Sequence, residues 1–348
     1  MHFQLTINIE YNMKVMICLT SAQTMANIIP IKHFNPDTVA IIKTPEYENA
    51  AVNLAKFCKK KSIYFYEADP VGAYDIEQLK SAVKGILERY ANAEIILNIT
   101  GGTKLMAIAA FQSVFASVDV VYCNTDGGKI IYLSPEYKEV EIKADLSISD
   151  YLESFGYKIL STESIERIEN FSSFYDWILA GNYGVFIKGV EFFRKKISDS
   201  HPKWSVSNGG LRLTKEFDKY YLENLEFGKI RFENLNFITG GWFEDYCYRV
   251  VKDAVSSEIL IGVKISSKQD VHNEIDIMFI KDYKLYLVSC KAGKFDKKDI
   301  YEIQTMKDLA GGTFGKAYFL YADKIAPAVA QRAKELRITI SRGDNIKI

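Results

Sequence analysis

The stretch Asn273-Glu274-Ile275-Asp276-Ile277-Met278-Phe279-Ile280-Lys281-Asp282-Tyr283-Lys284-Leu285-Tyr286-Leu287-Val288-Ser289-Cys290-Lys291 decides how the last third of this chain is read. Two apolar runs, Ile277 to Ile280 and Leu285 to Val288, flank the polar tetrapeptide 281–284. The pattern predicts a tight β-hairpin buried in a core. Polar groups stand at its open end. Because side chains alternate along a strand, Glu274 shares a face with Asp276, and Ser289 shares one with Lys291. Asp276 and Lys291 can therefore converge across neighbouring strands. Charges at the end of buried strands are costly unless paired or bound to a cation, so this end of the hairpin is a candidate site.

Working outward, the spacing predicts a helix over Trp242 to Ala254, then strands at Ile259 to Ile265, Glu274 to Ile280 and Leu285 to Cys290. A helix around Lys298 to Leu309, a strand at Ala317 to Tyr321 and a final helix and strand complete the chain. Helix, three-stranded meander, helix, strand is an α/β/α order of the nuclease type. The first helix adds Glu244 to the polar set. Phosphodiester hydrolysis needs carboxylates to fix a divalent cation and an amine to orient water or offset charge on phosphorus. Taken singly, Glu244 reads as a surface helix residue. Lys291 alone opens a solvated run through Lys294, Lys297 and Lys298, which either stays solvated or meets a phosphate backbone. Their order along the chain favours a site. His272 is read as structural, and Tyr301 and Gln304 as substrate contacts.

The first part of the chain has a different rhythm. Short β-branched runs at Val15 to Leu19, Val39 to Ile42, Ile63 to Tyr66, Ile95 to Ile99 and Val118 to Tyr122 alternate with helical stretches. This predicts a parallel sheet covered on both faces, Rossmann-like, closed by a hairpin at Lys129 to Leu133 and Glu139 to Ile142. The segment Asn98-Ile99-Thr100-Gly101-Gly102-Thr103-Lys104-Leu105-Met106 sits where a strand ends and an apolar helix begins. Two glycines permit close backbone approach, a helix N-terminus presents free N–H groups, and Thr103 and Lys104 add a hydroxyl and a cation. Either this is a phosphate-binding turn, or the glycines merely make a tight connection that Thr103 caps. Ligands of open parallel sheets bind at the carboxyl ends of the strands. That rule adds Thr20, Ser21 and Gln23, then Asp69, then Asn124, Thr125 and Asp126, to Thr100, Gly101, Gly102, Thr103 and Lys104. The set is rich in hydroxyls and amides and suits adenine, ribose and phosphate. The usual ATP and dinucleotide glycine signatures are absent.

At 348 residues the chain is long for one core. We expect domains at 13–146 and 238–348 with a connector or small intermediate region at 147–237, where helical stretches at Phe171 to Leu179 and Tyr183 to Phe193 precede a turn at 207–210. The first twelve residues contain no clear element, and Met13 is a natural place to begin. Lysine plus arginine total 44, as do aspartate plus glutamate, so no global field draws the protein to polyanions. With no apolar stretch long enough to span a bilayer and no signal peptide, a cytoplasmic protein without membrane contact is expected. The 5 scattered cysteines argue against disulfides and a cysteine-based zinc site.

Both halves resemble one family, the CARF-domain nucleases of type III CRISPR systems called CRISPR ancillary nucleases. The resemblance rests on Leu19-Thr20-Ser21-Ala22-Gln23 and the 98–104 segment, then on Trp242-Phe243-Glu244, Asn273 to Asp276, Ser289-Cys290-Lys291 and Leu309 to Thr313. It implies an N-terminal Rossmann-like CARF sensor domain, a C-terminal restriction-endonuclease-like PD-(D/E)xK domain, and a homodimer. It also implies a cyclic oligoadenylate second messenger, usually cyclic tetra-adenylate, as allosteric activator, and Mn2+ or Mg2+ for cutting DNA and/or RNA in antiviral defence. Carried over by position, Glu244 and Asp276 would bind metal and Lys291 would serve catalysis. One departure stands out: the second acid of the motif is Ser289. Either Glu244 and the Cys290 backbone carbonyl complete the metal sphere, or Glu274 contributes, or the domain is impaired. The first is favoured, because a carbonyl can ligate whatever its side chain. A non-catalytic sensor with a degenerate nuclease domain, and a ring nuclease that degrades its own cyclic ligand, are the competing functions.

Overall fold

The computed structural model describes residues 13–197, 201–267 and 272–348, so the reading of the first twelve residues lies outside the described ones. The chain divides into two compact units, Met1–Tyr157 and Lys158–Ile348.

The first unit alternates β1 (Lys14–Leu19), α1 (Met25–Phe34), β2 (Thr38–Ile42), α2 (Glu48–Lys60), β3 (Tyr64–Glu67), α3 (Ile76–Arg89), β4 (Glu94–Asn98), α4 (Lys104–Ser113) and β5 (Asp119–Asn124). The hairpin β6 (Lys129–Ser134) and β7 (Lys138–Glu141) and the helix α5 (Ile148–Ser154) follow. The seven strands form one sheet in the order β3-β2-β1-β4-β5-β6-β7. The β-branched runs are buried throughout β1 and β2, as expected of strands covered on both faces. Helix α5 stays with this unit because its buried Asp150 takes an ion pair from Lys32 at 2.5 Å, while the Asn53 side chain donates to the Ser154 carbonyl at 3.1 Å.

The second unit begins with β8 (Lys158–Ser161), then α6 (Glu166–Asn170), α7 (Ser172–Trp177) and α8 (Tyr183–Lys196). A meander follows: β9 (Lys203–Asn208), β10 (Leu211–Glu216), β11 (Lys219–Asn224) and β12 (Gly228–Phe232). Then come α9 (Trp242–Ala254), β13 (Ile259–Ser266), β14 (His272–Lys281), β15 (Lys284–Lys291), α10 (Lys297–Met306), β16 (Lys316–Tyr321), α11 (Pro327–Glu335) and β17 (Thr339–Arg342). The main sheet runs β17-β16-β15-β14-β13-β8, and β9–β12 form a separate four-stranded sheet. One aromatic core serves both sheets: Phe174, Phe186, Leu213, Leu222, Trp242, Phe279 and Val288 belong to it. Of the segment 147–237, residues 147–157, with α5, thus belong to the first unit and residues 158–237 to the second.

Two features of the main sheet position the site. The turn at Asp282 and Tyr283 has positive φ at both residues (49° and 60°), the mirror-image turn whose twist suits a two-residue hairpin. At the other end of the hairpin, β14 and β15 pair only as far as Ile277 and Val288, whereas β15 continues against β16 to Lys291. The sheet forks there.

Candidate functional site

In the second unit, Asp276 stands at this fork. Its carboxylate takes the Cys290 backbone N–H at 2.6 Å, a donor that the interrupted ladder leaves without a strand partner. Burial raises the Asp276 pKa, against the opposing pull of that N–H and of the Lys291 charge, and the Ser289 side chain also bonds to it. Glu244, in the first turn of α9, faces the same place: burial and then the charge of Asp276 push its carboxyl up to about 7. Lys291 lies 3.3 Å from Asp299 on α10. Burial pulls the Lys291 pKa down, but Asp276 and Asp299 outweigh it, so the amine is held charged. The fork thus gathers Glu244, Asp276, Ser289 and Lys291.

Glu274 behaves differently. It pairs with Lys264 across β13 at 3.8 Å, with 54% of its side chain exposed. The Cys290 thiol is buried and hydrogen-bonded with Cys247. Among the described residues, no group of three or more His, Cys, Asp or Glu side chains is arranged to hold a metal ion. Glu244 and Asp276 make a pair. Two facing carboxylates with raised proton affinity are nonetheless the donor chemistry that a hard divalent cation seeks, so the residues fit such an ion with backbone or water oxygens completing its shell. A cleft of about 550 Å³ lies beside the fork, lined by Arg194, Trp242, Lys294, Phe295 and Lys324 among others. His272 and Tyr301 are exposed, and Gln304 donates to Asp308 at 2.7 Å.

Sequence reasoning missed the residues that hold Glu244 in place. Its neighbour Asp245 is fully buried and takes a two-pronged contact from Arg167, at 2.6 and 2.9 Å, and a hydrogen bond from the Tyr175 hydroxyl at 2.8 Å. This fixes the first turn of α9. Glu163, just after β8, adds its charge to Glu244. The one available signal was Gly262: a glycine inside an apolar strand run marks a close approach.

In the first unit, the Gly-Gly turn packs against the end of β1. A Cβ at Gly101 would lie 2.3 Å from the Leu19 carbonyl oxygen, and Gly102 has φ +75°. The buried Asn98 side chain organises the turn. It donates to the Ala26 carbonyl at 3.0 Å and to Asn27 at 2.9 Å, and it accepts from the Thr100 N–H at 3.1 Å and hydroxyl at 2.6 Å. Thr100 in turn accepts from the Cys123 N–H at 2.7 Å, tying β4 to β5. Thr103 caps α4 and donates to the Ala73 carbonyl at 3.1 Å. Thr20 is buried and accepts from the Thr44 N–H at 3.1 Å, and Ser21 bonds locally with Gln23. Asn124 accepts from the Gly127 N–H at 3.1 Å. Lys104, Asp69 and Asp126 are exposed. Asp69 follows the edge strand β3, which β2 separates from β1. The ends of β1, β4 and β5 are therefore contiguous, and Asp69 stands apart.

The fold and site define a protein class: a Rossmann-like parallel-sheet unit followed by an α/β unit whose main sheet opens into a polar fork. Residues 15–151 match the family described as Card1 CARF domain, and residues 232–347 match that described as Card1-like, endonuclease domain. The chain therefore belongs to the CARF-domain nucleases. Among solved structures, Can2 from Sulfobacillus thermosulfidooxidans in complex with cyclic tetra-adenylate has a TM-score of 0.74 at 22% identity, over 94% of this chain and 95% of that one. Protein VC1899 from Vibrio cholerae has a TM-score of 0.73 at 16% identity, over 95% and 94%. A type III CRISPR defence DNA nuclease activated by cyclic oligoadenylate has 0.61 at 16%, over 91% of this chain and 47% of that one. At these identities the likeness is one of fold. No curated protein matches the chain in sequence.

Proposed function

We propose that this protein is a divalent-cation-dependent endonuclease that cuts DNA and/or RNA when a cyclic oligoadenylate occupies its CARF domain, in type III CRISPR defence. The observation that carries this reading is the convergence of Glu244, Asp276 and Lys291 where β14 and β15 part. Glu244, Asp276 and the Cys290 carbonyl would hold Mn2+ or Mg2+. The bound cation supplies Lewis acidity to a phosphoryl oxygen. Lys291, kept protonated by Asp276 and Asp299, offsets the charge that grows on phosphorus, and Ser289 orients the Asp276 carboxylate by its hydrogen bond. In the adjacent cleft, whose lining also carries Glu191, Arg194 and Asp323, Lys294 and Lys324 are the cations that meet the backbone of the strand being cut.

Cyclic tetra-adenylate is the activator proposed, because the Can2 structure holds that ligand on the same fold. The preformed Gly101-Gly102 turn with exposed Lys104 supports phosphate recognition there. A homodimer is supported by α4. That helix buries Met106, Ala109 and Ala110 on one side, yet leaves Leu105, Ile108 and Phe111 exposed, with Phe115 beyond it. A helix apolar on both sides has a second surface to cover, and a second copy covers it. Five free, buried thiols fit a reducing cytoplasm, and among the described residues no helix is long and apolar enough to cross a membrane.

The test incubates the protein with supercoiled plasmid and single-stranded RNA in Mn2+, with and without cyclic tetra-adenylate. Cutting is expected only with the activator, is abolished by Asp276→Ala, and loses its response to activator in Lys104→Ala. Cutting by Asp276→Ala at the wild-type rate refutes the site. Ser289 favours a second reading, a sensor whose nuclease domain is degenerate. Tight cyclic tetra-adenylate binding with no cutting of either substrate would establish it, and loss of the ring itself in EDTA would reveal a ring nuclease instead.

A further inference from the structure

The end of β15 and the start of α9 are bridged by one side chain from a helix that precedes both. Arg194, in the last turn of α8, donates from its Nη2 to the Thr239 carbonyl at 2.5 Å and to the Ala292 carbonyl at 3.1 Å. Thr239 belongs to the wide turn Phe237–Gly241 that runs straight into α9, whose first turn carries Glu244. Ala292 directly follows Lys291. A single nitrogen that reaches both carbonyls ties the backbone carrying one site residue to the backbone carrying another. Tyr183 holds the same strand end from the start of α8: its hydroxyl donates to the Ala322 carbonyl at 2.7 Å, and the Ala322 N–H donates to the Lys291 carbonyl at 3.0 Å. About three turns separate Tyr183 from Arg194, which puts them on one face of α8. Between them Phe186 meets Trp242, the first residue of α9, edge to face with ring centroids 4.7 Å apart. Position 343 leaves room for this face, since a Cβ at Gly343 would lie 2.1 Å from the Tyr183 hydroxyl oxygen. Helix α8 thus braces the fork along its length, although the match to the endonuclease family begins only at residue 232.

We propose that Arg194 is a positioning residue of the nuclease site: by holding the Thr239 and Ala292 carbonyls together it sets the spacing of Glu244 and Lys291, so that the segment before the endonuclease match supplies part of the machinery for cutting. This rests on the reading of the fork as a divalent-cation nuclease site. Groups brought by separate segments act together only while their spacing is kept, and residues that orient them without touching substrate matter nearly as much as they do. Arg194 is otherwise exposed, so its loss disturbs that spacing more than the stability of the unit.

Two measurements on the full-length protein test it: isothermal titration of Mn2+ without nucleic acid, and steady-state cutting with cyclic tetra-adenylate at saturating Mn2+. Arg194→Ala is expected to weaken Mn2+ binding and to lower kcat, each by about tenfold or more, with KM and the metal-free melting temperature close to wild type. Arg194→Lys, whose ammonium can still donate to both carbonyls, should recover part of each loss. Unchanged Mn2+ binding and kcat in Arg194→Ala overturn the proposal, and a raised KM beside them makes Arg194 a contact to the substrate backbone instead. Losses that track a fall in metal-free melting temperature, with no recovery in Arg194→Lys, assign a merely structural role and also overturn it. In both cases Asp276→Ala still abolishes cutting and the nuclease site stands. Wild-type protein that neither takes up Mn2+ nor cuts sinks the site and the proposal together.

Discussion

Burial and the facing Asp276 carboxylate raise the Glu244 carboxyl from 4.5 to about 7, so the metal-free folded protein keeps a proton there that the unfolded chain releases. Stability from this proton is complete below the unfolded value of 4.5 and is lost as pH rises through about 7. The melting temperature of metal-free wild type relative to Glu244→Gln should therefore fall across this range, and added Mn2+ should stabilise wild type more at the top of it than at the bottom. A pH-independent difference would contradict the buried-pair geometry. Arg167→Ala strips the fully buried Asp245 of its cation and leaves it the Tyr175 hydroxyl. Denaturant titration should show a loss of about 3 kcal/mol, the low end for a broken buried pair because Arg167 is itself partly exposed. Neither Arg167 nor Asp245 was legible in the sequence. An acid beside another acid in a first helical turn looks like a solvated end, and its partner arrives from 78 residues away.

Element by element, legibility followed locality. The strand Leu285 to Cys290 and the turn 281–284 are written in contiguous residues, and the alternation of β1 to β5 with helices needs no long-range information. Strand β8 was invisible because four residues, Lys-Ile-Leu-Ser, become a strand only by pairing with β13 about a hundred positions later. The Gly-Gly turn was legible as a turn, but not its reason: Gly101 is pressed against the Leu19 carbonyl. Gly101→Ala should cost about 1–3 kcal/mol and weaken cyclic tetra-adenylate binding. Gly85, in the interior of α3, has open space where a methyl group would stand, with no atom within 4 Å, so Gly85→Ala should instead gain about 0.5–1 kcal/mol. Paired thermal melts and calorimetric titrations check both, and equal effects would remove the close approach as the cause.

At the scale of the molecule, the two units each have a continuous core, and their border at Tyr157 and Lys158 falls inside the region 147–237 that the sequence reads as a connector or small intermediate region. In sequence the region before α9 shows aromatic-rich helical stretches and a turn, and reads as a connector or small intermediate region. Folded, Phe174, Phe186, Leu213 and Leu222 are packed with Trp242 and Phe279. A fragment of residues 158–348 should express as a cooperatively folding protein. One starting at Phe232, where the endonuclease family match begins, lacks β8, α8 and most of the small sheet, and should aggregate. Circular dichroism and gel filtration of the two fragments decide this, and a well-folded shorter fragment would show that the aromatic core is dispensable. The shared core also governs how such proteins can be recombined. A chimera grafting this nuclease onto a foreign sensor must be joined between Tyr157 and Lys158, because any later crossover would leave the donor's aromatic half behind.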